Sequence, residues 1–260
     1  MIAASRARRP LVVLKIGGSI LTDLDSYARA ARFVARCHEQ EPGVGFVVVV
    51  SAQQGDTDAM QATARRLASE PDPAMVDLLW STGELRSVAL LTLALQSLGV
   101  RATGANVHQA GLVATDRPGA PRPLVHPVKL RALLGVHEVV VVPGFLACAG
   151  DRVVSLGRGG SDLTAVVLAA ALGALRCELI KDVGGYYVDD PKVDPAATHL
   201  PELDYDRSLA MADAGCELVQ RAALETARTH GLRIIVRAID TAHGTVLSEA
   251  APAAILTTRS

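Results

Sequence analysis

Apolar residues occur along this chain in short unbroken runs, each closed by glycines and small polar residues. Residues 11–16 read Leu-Val-Val-Leu-Lys-Ile and residues 46–50 read Phe-Val-Val-Val-Val. Runs of strand length without polar alternation predict strands buried on both faces, the habit of parallel sheets. The same reading places strands at 100–103, 138–142, 176–180 and 232–236, and a hairpin over 146–155 that turns through Gly150-Asp151. Between the strands the spacing predicts helices over 23–40, 59–69, 74–97, 127–134, 165–174, 206–214 and 217–230. The third is interrupted near Ser81-Thr82-Gly83, and the last two are split at Gly215. Residues 104–126, rich in Gly, Pro, Asn, Asp and His, read as a long loop or β-ribbon. From Ala250 the chain reads as a frayed tail or a short closing strand.

Strand and helix alternate, so the expected architecture is α/β: a three-layer α/β/α sandwich around a mainly parallel sheet. Composition agrees. Half of the 260 residues are apolar and only 3% are aromatic, which favours helices on a parallel sheet over an aromatic-rich sandwich. The formal net charge of −1 leaves no electrostatic case for a nucleic-acid partner. The four cysteines are scattered without metal-ligand spacing and read as buried thiols of a reducing, cytoplasmic compartment. No run reads as long and apolar enough to span a membrane, and no metal-binding cluster is expected.

Chemistry concentrates where strands end. Lys15 closes the first strand beside Gly17-Gly18-Ser19. Ser51 to Asp58 follow the second, and Lys181-Asp182 through Lys192 follow a later one. In a parallel sheet these loops share the carboxyl rim, where ligands bind. The densest stretch is Ser155-Leu156-Gly157-Arg158-Gly159-Gly160-Ser161-Asp162, followed at once by an Ala-rich helix that Ser161 or Asp162 can cap. It is either a tight turn with a capped helix and a surface arginine, or a site for anions at a helix N-terminus. Glu84 is either a first-turn helix carboxylate or a partner for an ammonium group. Lys15, Arg158, Lys181 and Lys192 among many glycines suit a polyanion, and Tyr187 can pack on a flat base. Thr57, Glu84, Arg158 and Ser161 together suit a zwitterion. Such a set lacks an obvious nucleophile and suits phosphoryl transfer, which needs positioned reactants and cations on the developing charge.

These stretches resemble the amino acid kinase family, and within it the catalytic domain of aspartate kinases. Lys15-Ile16-Gly17-Gly18-Ser19 is similar to the K-F-G-G-[ST] opening, and Val50-Ser51-Ala52 with Thr57-Asp58 to the V-S-A-x-x-x-x-T-D loop. Thr82-Gly83-Glu84 resembles the G-E segment, and Gln109-Ala110-Gly111 the Q-A-G after it. Leu156 to Ala165 resembles L-G-R-G-G-S-D-[TL]-T-A, and Asp182 to Lys192 the D-V-D-G-V-Y-T-A-D-P-[RK] block. The resemblance implies ATP and Mg2+ as cofactors, a small-molecule amino acid as substrate and a homodimer. The reaction it implies is L-aspartate to 4-phospho-L-aspartate, in amino acid or specialised-metabolite biosynthesis. Lys15 would hold the transferring phosphoryl group and Asp162 would orient that lysine. Thr57, Glu84, Arg158, Gly160 and Ser161 would bind the amino acid. Lys15, Gly17, Gly18, Ser51, Lys181, Asp182, Tyr187 and Lys192 would bind the nucleotide. Residues 11–248 would form the kinase domain, with the amino acid on about 11–150 and ATP on about 151–248. Residues 1–10 and 249–260 would be tails, and no ACT domain is expected.

Four departures from the family pattern stand out. Lys181 replaces a Ser or Thr, Gly184 replaces an Asp, and Gly215-Cys216-Glu217 appears where the pattern is G-[AS]-K. Lys181 can supply the cation lost at Glu217. Gln53 and Gln54 occupy the substrate loop where Met or Gly-type residues are usual. The alternatives are a kinase of a different aspartate- or glutamate-like acid, or a non-catalytic nucleotide-binding regulatory subunit.

Overall fold

A computed structural model describes residues 9–115, 122–157, 159–194, 196–241 and 243–249. In chain order the first half comprises β1 (Leu11–Ile16), α1 (Leu24–Gln40), β2 (Gly45–Val50), α2 (Asp56–Leu67), α3 (Pro73–Ser97), β3 (Ala102–Gly104), α4 (Val107–Ala110), β4 (Leu112–Ala114), β5 (Pro123–Val125), α5 (Pro127–Leu134) and β6 (Val139–Pro143). Then come β7 (Leu146–Ala149), β8 (Arg152–Ser155), α6 (Gly160–Leu172), β9 (Arg176–Lys181), β10 (Tyr186–Tyr187), β11 (His199–Leu200), β12 (Glu202–Asp204), α7 (Tyr205–Asp213), α8 (Arg221–Thr229), β13 (Ile234–Ala238) and β14 (Gly244–Ser248).

The central sheet has eight strands in the order β12-β14-β13-β9-β1-β2-β6-β3. From β13 to β3 every neighbour is parallel, while β14 runs against β13 and pairs in parallel with β12. This is the expected α/β/α sandwich. Every residue of β1, β2 and β6 is buried, because helices cover both faces of these strands. Alternate residues divide between two cores. Val12, Leu14 and Ile16 pack with Tyr27, Phe33 and Val34 of α1 and with Leu91 and Leu95 of α3. Leu11, Val13, Val47 and Val49 pack with Val166, Leu168 and Ala169 of α6 and with Leu224 and Ala227 of α8. A smaller sheet, β5-β4-β7-β8, contains the hairpin turning at Gly150-Asp151, and β10 pairs with β11. The stretch 104–126 therefore holds a short helix and two antiparallel strands.

Several expectations are corrected. The helix expected to break near Ser81-Thr82-Gly83 runs unbroken through α3. Asp72 caps it by accepting the Ala74 N–H at 2.8 Å, and Pro73 opens it. The Ser81 and Thr82 hydroxyls turn back onto the carbonyls of Leu78 and Leu79, both at 2.7 Å, so both are satisfied within the helix and neither ends it. Unbroken, α3 is long and apolar enough to cross a membrane by length and composition, which the sequence reading had not found. It packs instead on α1 and the sheet, contributing Val88, Leu91 and Leu95 to the core. Glu84 consequently sits in mid-helix and not in a first turn. Helix α2 begins at Asp56, placing Asp56 and Asp58 in the first turn where the helix dipole favours them. Helix α8 begins at Arg221 and not at 217.

Leu14 is fully buried in the middle of the sheet. Leu14→Ala should lower stability by about 2–5 kcal/mol, read by urea unfolding.

Candidate active site

Because β1, β2, β6 and β9 are parallel, the segments after them converge on one rim of the sheet. Lys15 is the penultimate residue of β1 and pairs with Leu179 of β9. Lys181, two residues beyond Leu179, therefore projects from the same face as Lys15. Above that face lies the first turn of α6, carrying Asp162. The Lys15 ammonium is 2.9 Å from Asp162 Oδ1, an ion pair off the hydrogen-bonding direction, and Lys181 Nζ donates to Asp162 Oδ2 at 2.7 Å. Lys15 and Asp162 are buried and Lys181 is largely so, with 9%, 6% and 14% of their side chains exposed.

Burial alone would raise the pKa of Asp162. The two ammonium groups outweigh it and bring the carboxyl down to about 2. Lys181 is pushed the other way: burial and the neighbouring Lys15 charge depress its pKa against the pull of Asp162.

Helix α6 starts differently from the expectation. Neither Ser161 nor Asp162 caps it. Gly159 does, at φ +75°, without a side-chain hydrogen bond. A side chain at Gly159 would be strained at that angle and would run into Gln220. The cap moved because Ser161 and Asp162 point elsewhere, Asp162 to the lysines and Ser161 to Ser51, whose Oγ donates to Ser161 Oγ at 3.0 Å. Gly160 opens α6, packed over Leu156. Arg158 lies outside the described residues.

Glu84 is a second buried carboxylate. It is 2% exposed and accepts the Ala52 N–H at 2.9 Å and the Gly144 N–H at a longer 3.4 Å. These amides come from the segments after β2 and β6, so one side chain of α3 ties two rim loops together. Burial pushes its pKa up to about 7, against the opposing effect of the two amides and Lys15.

Two cavities open on this rim. One, of about 670 Å³, is lined by Lys15, Gly17, Gly18, Lys181, Asp182, Tyr187 and Lys192, with Glu217 in its wall. The other, of about 490 Å³, is lined by Ser51, Thr57, Glu84 and Ser161, together with Gln53 and Gln54. They meet at Gly18 and Ser19, which line both. Gly18 has no room for a side chain: a Cβ there would lie 2.8 Å from the Ala52 carbonyl oxygen. At the first cavity's mouth Lys192 Nζ donates to Asp182 Oδ2 at 2.9 Å, and Tyr187 packs edge-on against His199. Ser51, expected on the nucleotide side, lines the second cavity beside Ser161.

The sequence reading missed Trp80, Phe145, Gln61 and Arg65, which also line the second cavity. Trp80 lies four residues before Glu84, so helical spacing puts the two on one face. Its ring meets Phe145 edge-on at 5.6 Å.

This constellation defines a class of protein: a sheet rim that presents clustered buried cations to one cavity and a buried carboxylate to its neighbour. Comparison with known proteins agrees. The model of the amino acid kinase family matches residues 10–238, and the chain belongs to that family. The aspartokinase of Thermus thermophilus is 40% identical over 229 residues, covering 87% of this chain and 56% of that protein. The aspartate kinase of Synechocystis superposes with a TM-score of 0.80 at 34% identity, over 92% of this chain and 40% of that one. Escherichia coli aspartokinase III, solved with aspartate and ADP, superposes with a TM-score of 0.81 at 26% identity, over 94% of this chain and 65% of that one. The chain thus spans just over half the length of the curated relatives it matches.

Asp162→Ala would leave two buried ammonium groups without a counter-ion. It should cost about 3–5 kcal/mol near neutral pH. The loss, measured by urea unfolding, should narrow at alkaline pH as Lys181, whose pKa burial depresses, gives up its proton.

Proposed function

We propose that this chain transfers the γ-phosphoryl group of ATP to the side-chain carboxylate of an amino acid, with L-aspartate giving 4-phospho-L-aspartate and ADP. The observation that carries the reading is the pair of cavities meeting at Gly18 and Ser19, with the Lys15–Asp162–Lys181 cluster on the side suited to phosphates. The names of the relatives support it: aspartokinases match most of the chain, and one structure was solved with aspartate and ADP.

In this reading a carboxylate oxygen of the amino acid bonds to the γ-phosphorus. The bond from that phosphorus to the bridging oxygen breaks, and its electron pair leaves with ADP. No proton need move, because the acceptor reacts as a carboxylate and its oxygen carries none. Lys15 neutralises charge on the transferring group. Asp162 is a positioning residue that holds the Lys15 ammonium in place. Glu84 receives the substrate ammonium, Thr57, Gly160 and Ser161 flank the substrate, and Arg158 is assigned its α-carboxylate by the family resemblance. Gly17, Gly18, Lys181, Asp182, Tyr187 and Lys192 hold the nucleotide. Ser51, hydrogen-bonded to Ser161, stands at the boundary between the two substrates. The division into an acceptor part and a nucleotide part is supported by the linings, drawn mainly from residues 51–84 and 181–218.

Mg2+ supplies charge neutralisation on the phosphates when it accompanies the nucleotide. Among the described residues no cluster of three or more His, Cys, Asp or Glu side chains could hold an ion. The ion fits here as a companion of the phosphates, the habit of Mg2+ at nucleotide sites.

The reading is tested by ATP consumption with hydroxylamine present to trap an acyl phosphate, across L-aspartate, L-glutamate, N-acetylglutamate and aspartate analogues. A hydroxamate with L-aspartate is the expected result. Turnover with another acid alone would move the specificity to the Gln53-Gln54 loop, and no hydroxamate with any acid would overturn the reading. Trp80 is the only tryptophan and lines the acceptor cavity, so its emission should change with the amino acid and not with ADP.

A pH dependence follows from Glu84. Its pKa, raised from about 4.5 to about 7 by burial, leaves the carboxyl protonated and unable to receive an ammonium group below about pH 7. The KM for the amino acid should therefore rise as pH falls through 7, by up to about tenfold per unit. The KM for ATP should stay nearly level over the same range.

A further inference from the structure

We propose that the acceptor cavity has an outer subsite, formed by Gln61 and Arg65 of α2 opposite Trp80 of α3, that takes an amide-linked extension of the acceptor acid ending in a carboxylate, as in an L-aspartyl dipeptide. This rests on the phosphotransferase reading and names the class of its acceptor. Three observations carry it.

The first is where the cavity runs. Helices α2 and α3 form an antiparallel pair: the chain turns back between Leu67 and Pro73, and Met60 Cε lies 2.8 Å from where a Cβ on Gly83 would stand. Thr57, Gln61 and Arg65 line the cavity from α2, each one turn beyond the last, and Glu84 and Trp80 line it one turn apart on α3. The direction from Thr57 to Arg65 and from Glu84 to Trp80 is the same, away from the sheet, on which α3 packs through Val88, Leu91 and Leu95. The stripe on α2 is about 12 Å long. Helical side chains lean toward the N-terminus, which brings the Arg65 head back toward Gln61. The cavity therefore continues a full turn beyond the Glu84 carboxylate.

The second is what free aspartate leaves unused. Its side-chain carboxylate is the acceptor, its ammonium goes to Glu84, and its α-carboxylate goes to Arg158 by the family resemblance. Gln61, Arg65 and Trp80 then meet nothing on the substrate. The acceptor cavity has about 490 Å³ against about 670 Å³ for the nucleotide cavity, whereas aspartate has only roughly a third as many non-hydrogen atoms as ATP.

The third is the chemistry of the outer wall. Arg65 is the one cation among the described residues that line the cavity, and its acids, Asp58 and Glu84, lie at the Thr57 end. Asp58 is itself engaged, and Arg65 has no ion pair among the described residues. A last-turn arginine also suits the helix dipole, but Arg66 answers that need without lining the cavity. Gln61 offers a donor and an acceptor, the complement of a peptide amide. Trp80 supplies a flat wall braced by Phe145, and its buried indole N–H has no partner among the described residues.

These groups fit an acid read at both ends. An extended chain spans about 3.5 Å per residue, so an aspartyl dipeptide reaches from Glu84 to the level of Gln61 and the Arg65 head. Its ammonium and side-chain carboxylate are those of aspartate, and the amide keeps a carbonyl oxygen where aspartate has its α-carboxylate. The transfer step is unchanged: a side-chain carboxylate oxygen bonds to the γ-phosphorus, and the electron pair of the broken bond leaves with ADP. The extension makes and breaks no bond.

The test is calorimetric binding to the full chain, with ADP present, of L-aspartate, of L-aspartyl-L-alanine linked through its α-carboxyl, and of that dipeptide with its terminal carboxylate converted to an amide. The dipeptide should bind about tenfold or more tightly than aspartate, the size of one charged hydrogen bond, and the terminal amide should lose most of that gain. Arg65→Met should cut the ratio of dipeptide to aspartate affinity about tenfold, and Arg65→Lys should recover part of it. Gln61→Leu should lower the same ratio roughly threefold. In hydroxamate formation the ratios should appear in KM, with kcat little changed.

A dipeptide that binds no better than aspartate, or a gain that survives both the terminal amide and Arg65→Met, would overturn the proposal. Equal losses for aspartate and dipeptide in Arg65→Met would make Arg65 a contact of aspartate's own carboxylate and overturn it as well. The binding ratios decide the subsite whether or not a phosphoryl group is transferred. A wild-type chain that binds these acids and yields no hydroxamate would count against the phosphotransferase reading alone.

Discussion

One carboxylate, Asp162, holds two ammonium groups that the sheet would otherwise leave buried and unpaired. The rest of the rim is arranged around that contact. β1 and β9 must be adjacent and parallel for Lys15 and Lys181 to share a face. Helix α6 must start directly above them, which is why its cap falls on Gly159 and not on a serine or aspartate. The dipole of α6 favours a negative group in its first turn. Asp162 is that group, and its pKa of about 2 shows that the lysines overcome the penalty of burying it. The cluster keeps a net positive charge at the floor of the larger cavity.

Glu84 is the counterpart on the acceptor side, with the opposite solution. It has backbone amides where Asp162 has cations. Amides stabilise a carboxylate less than whole charges do, so its pKa is raised to about 7 while that of Asp162 falls. The two acids have similar burial and different partners, and the partners decide the ionisation state of each. Glu84 also joins the segments after β2 and β6 through Ala52 and Gly144. The acceptor cavity thus takes its shape from the same group that is assigned to read the substrate ammonium.

How much of this was legible in the sequence depended on the kind of signal. Unbroken Val and Leu runs marked β1, β2 and β6 to within a residue, because strands buried on both faces need nothing else. The Gly-Gly turns and the charged residues at strand ends located the rim. Local punctuation misled where tertiary contacts settled the outcome. Ser81, Thr82 and Gly83 look like a break, yet the two hydroxyls bond inside α3, and Gly83 gives room to Met60 and Ala52. Ser161 and Asp162 look like caps, yet both are drawn away by partners distant in sequence. The pairing of Lys181 with Asp162 had no sequence signature, since it depends on strand order. The short strands β10, β11 and β12 carry two or three residues each, too few to show a period.

The cost of the cluster bears on what the chain does. Three apolar side chains of similar size would fill the same space and are often as stable as a buried ion network, or more so. A module that only bound nucleotide could place its cations at the surface, as Lys192 is placed, and avoid desolvating them. Here two lysines and an aspartate are buried together at the floor of a cavity, beside a second cavity built around another buried acid. Buried charge of this kind is retained where function needs a fixed field in a dry place. Phosphoryl transfer needs such a field, because its transition state spreads charge over oxygens that no nucleophilic side chain touches. Glu217 supports the same conclusion. A carboxylate in the wall of a phosphate cavity repels the ligand unless another cation offsets it, and Lys181 in the same cavity is placed to do so. Lys15 and Lys181 both open on that cavity, as expected of a site that holds the phosphates of a nucleotide.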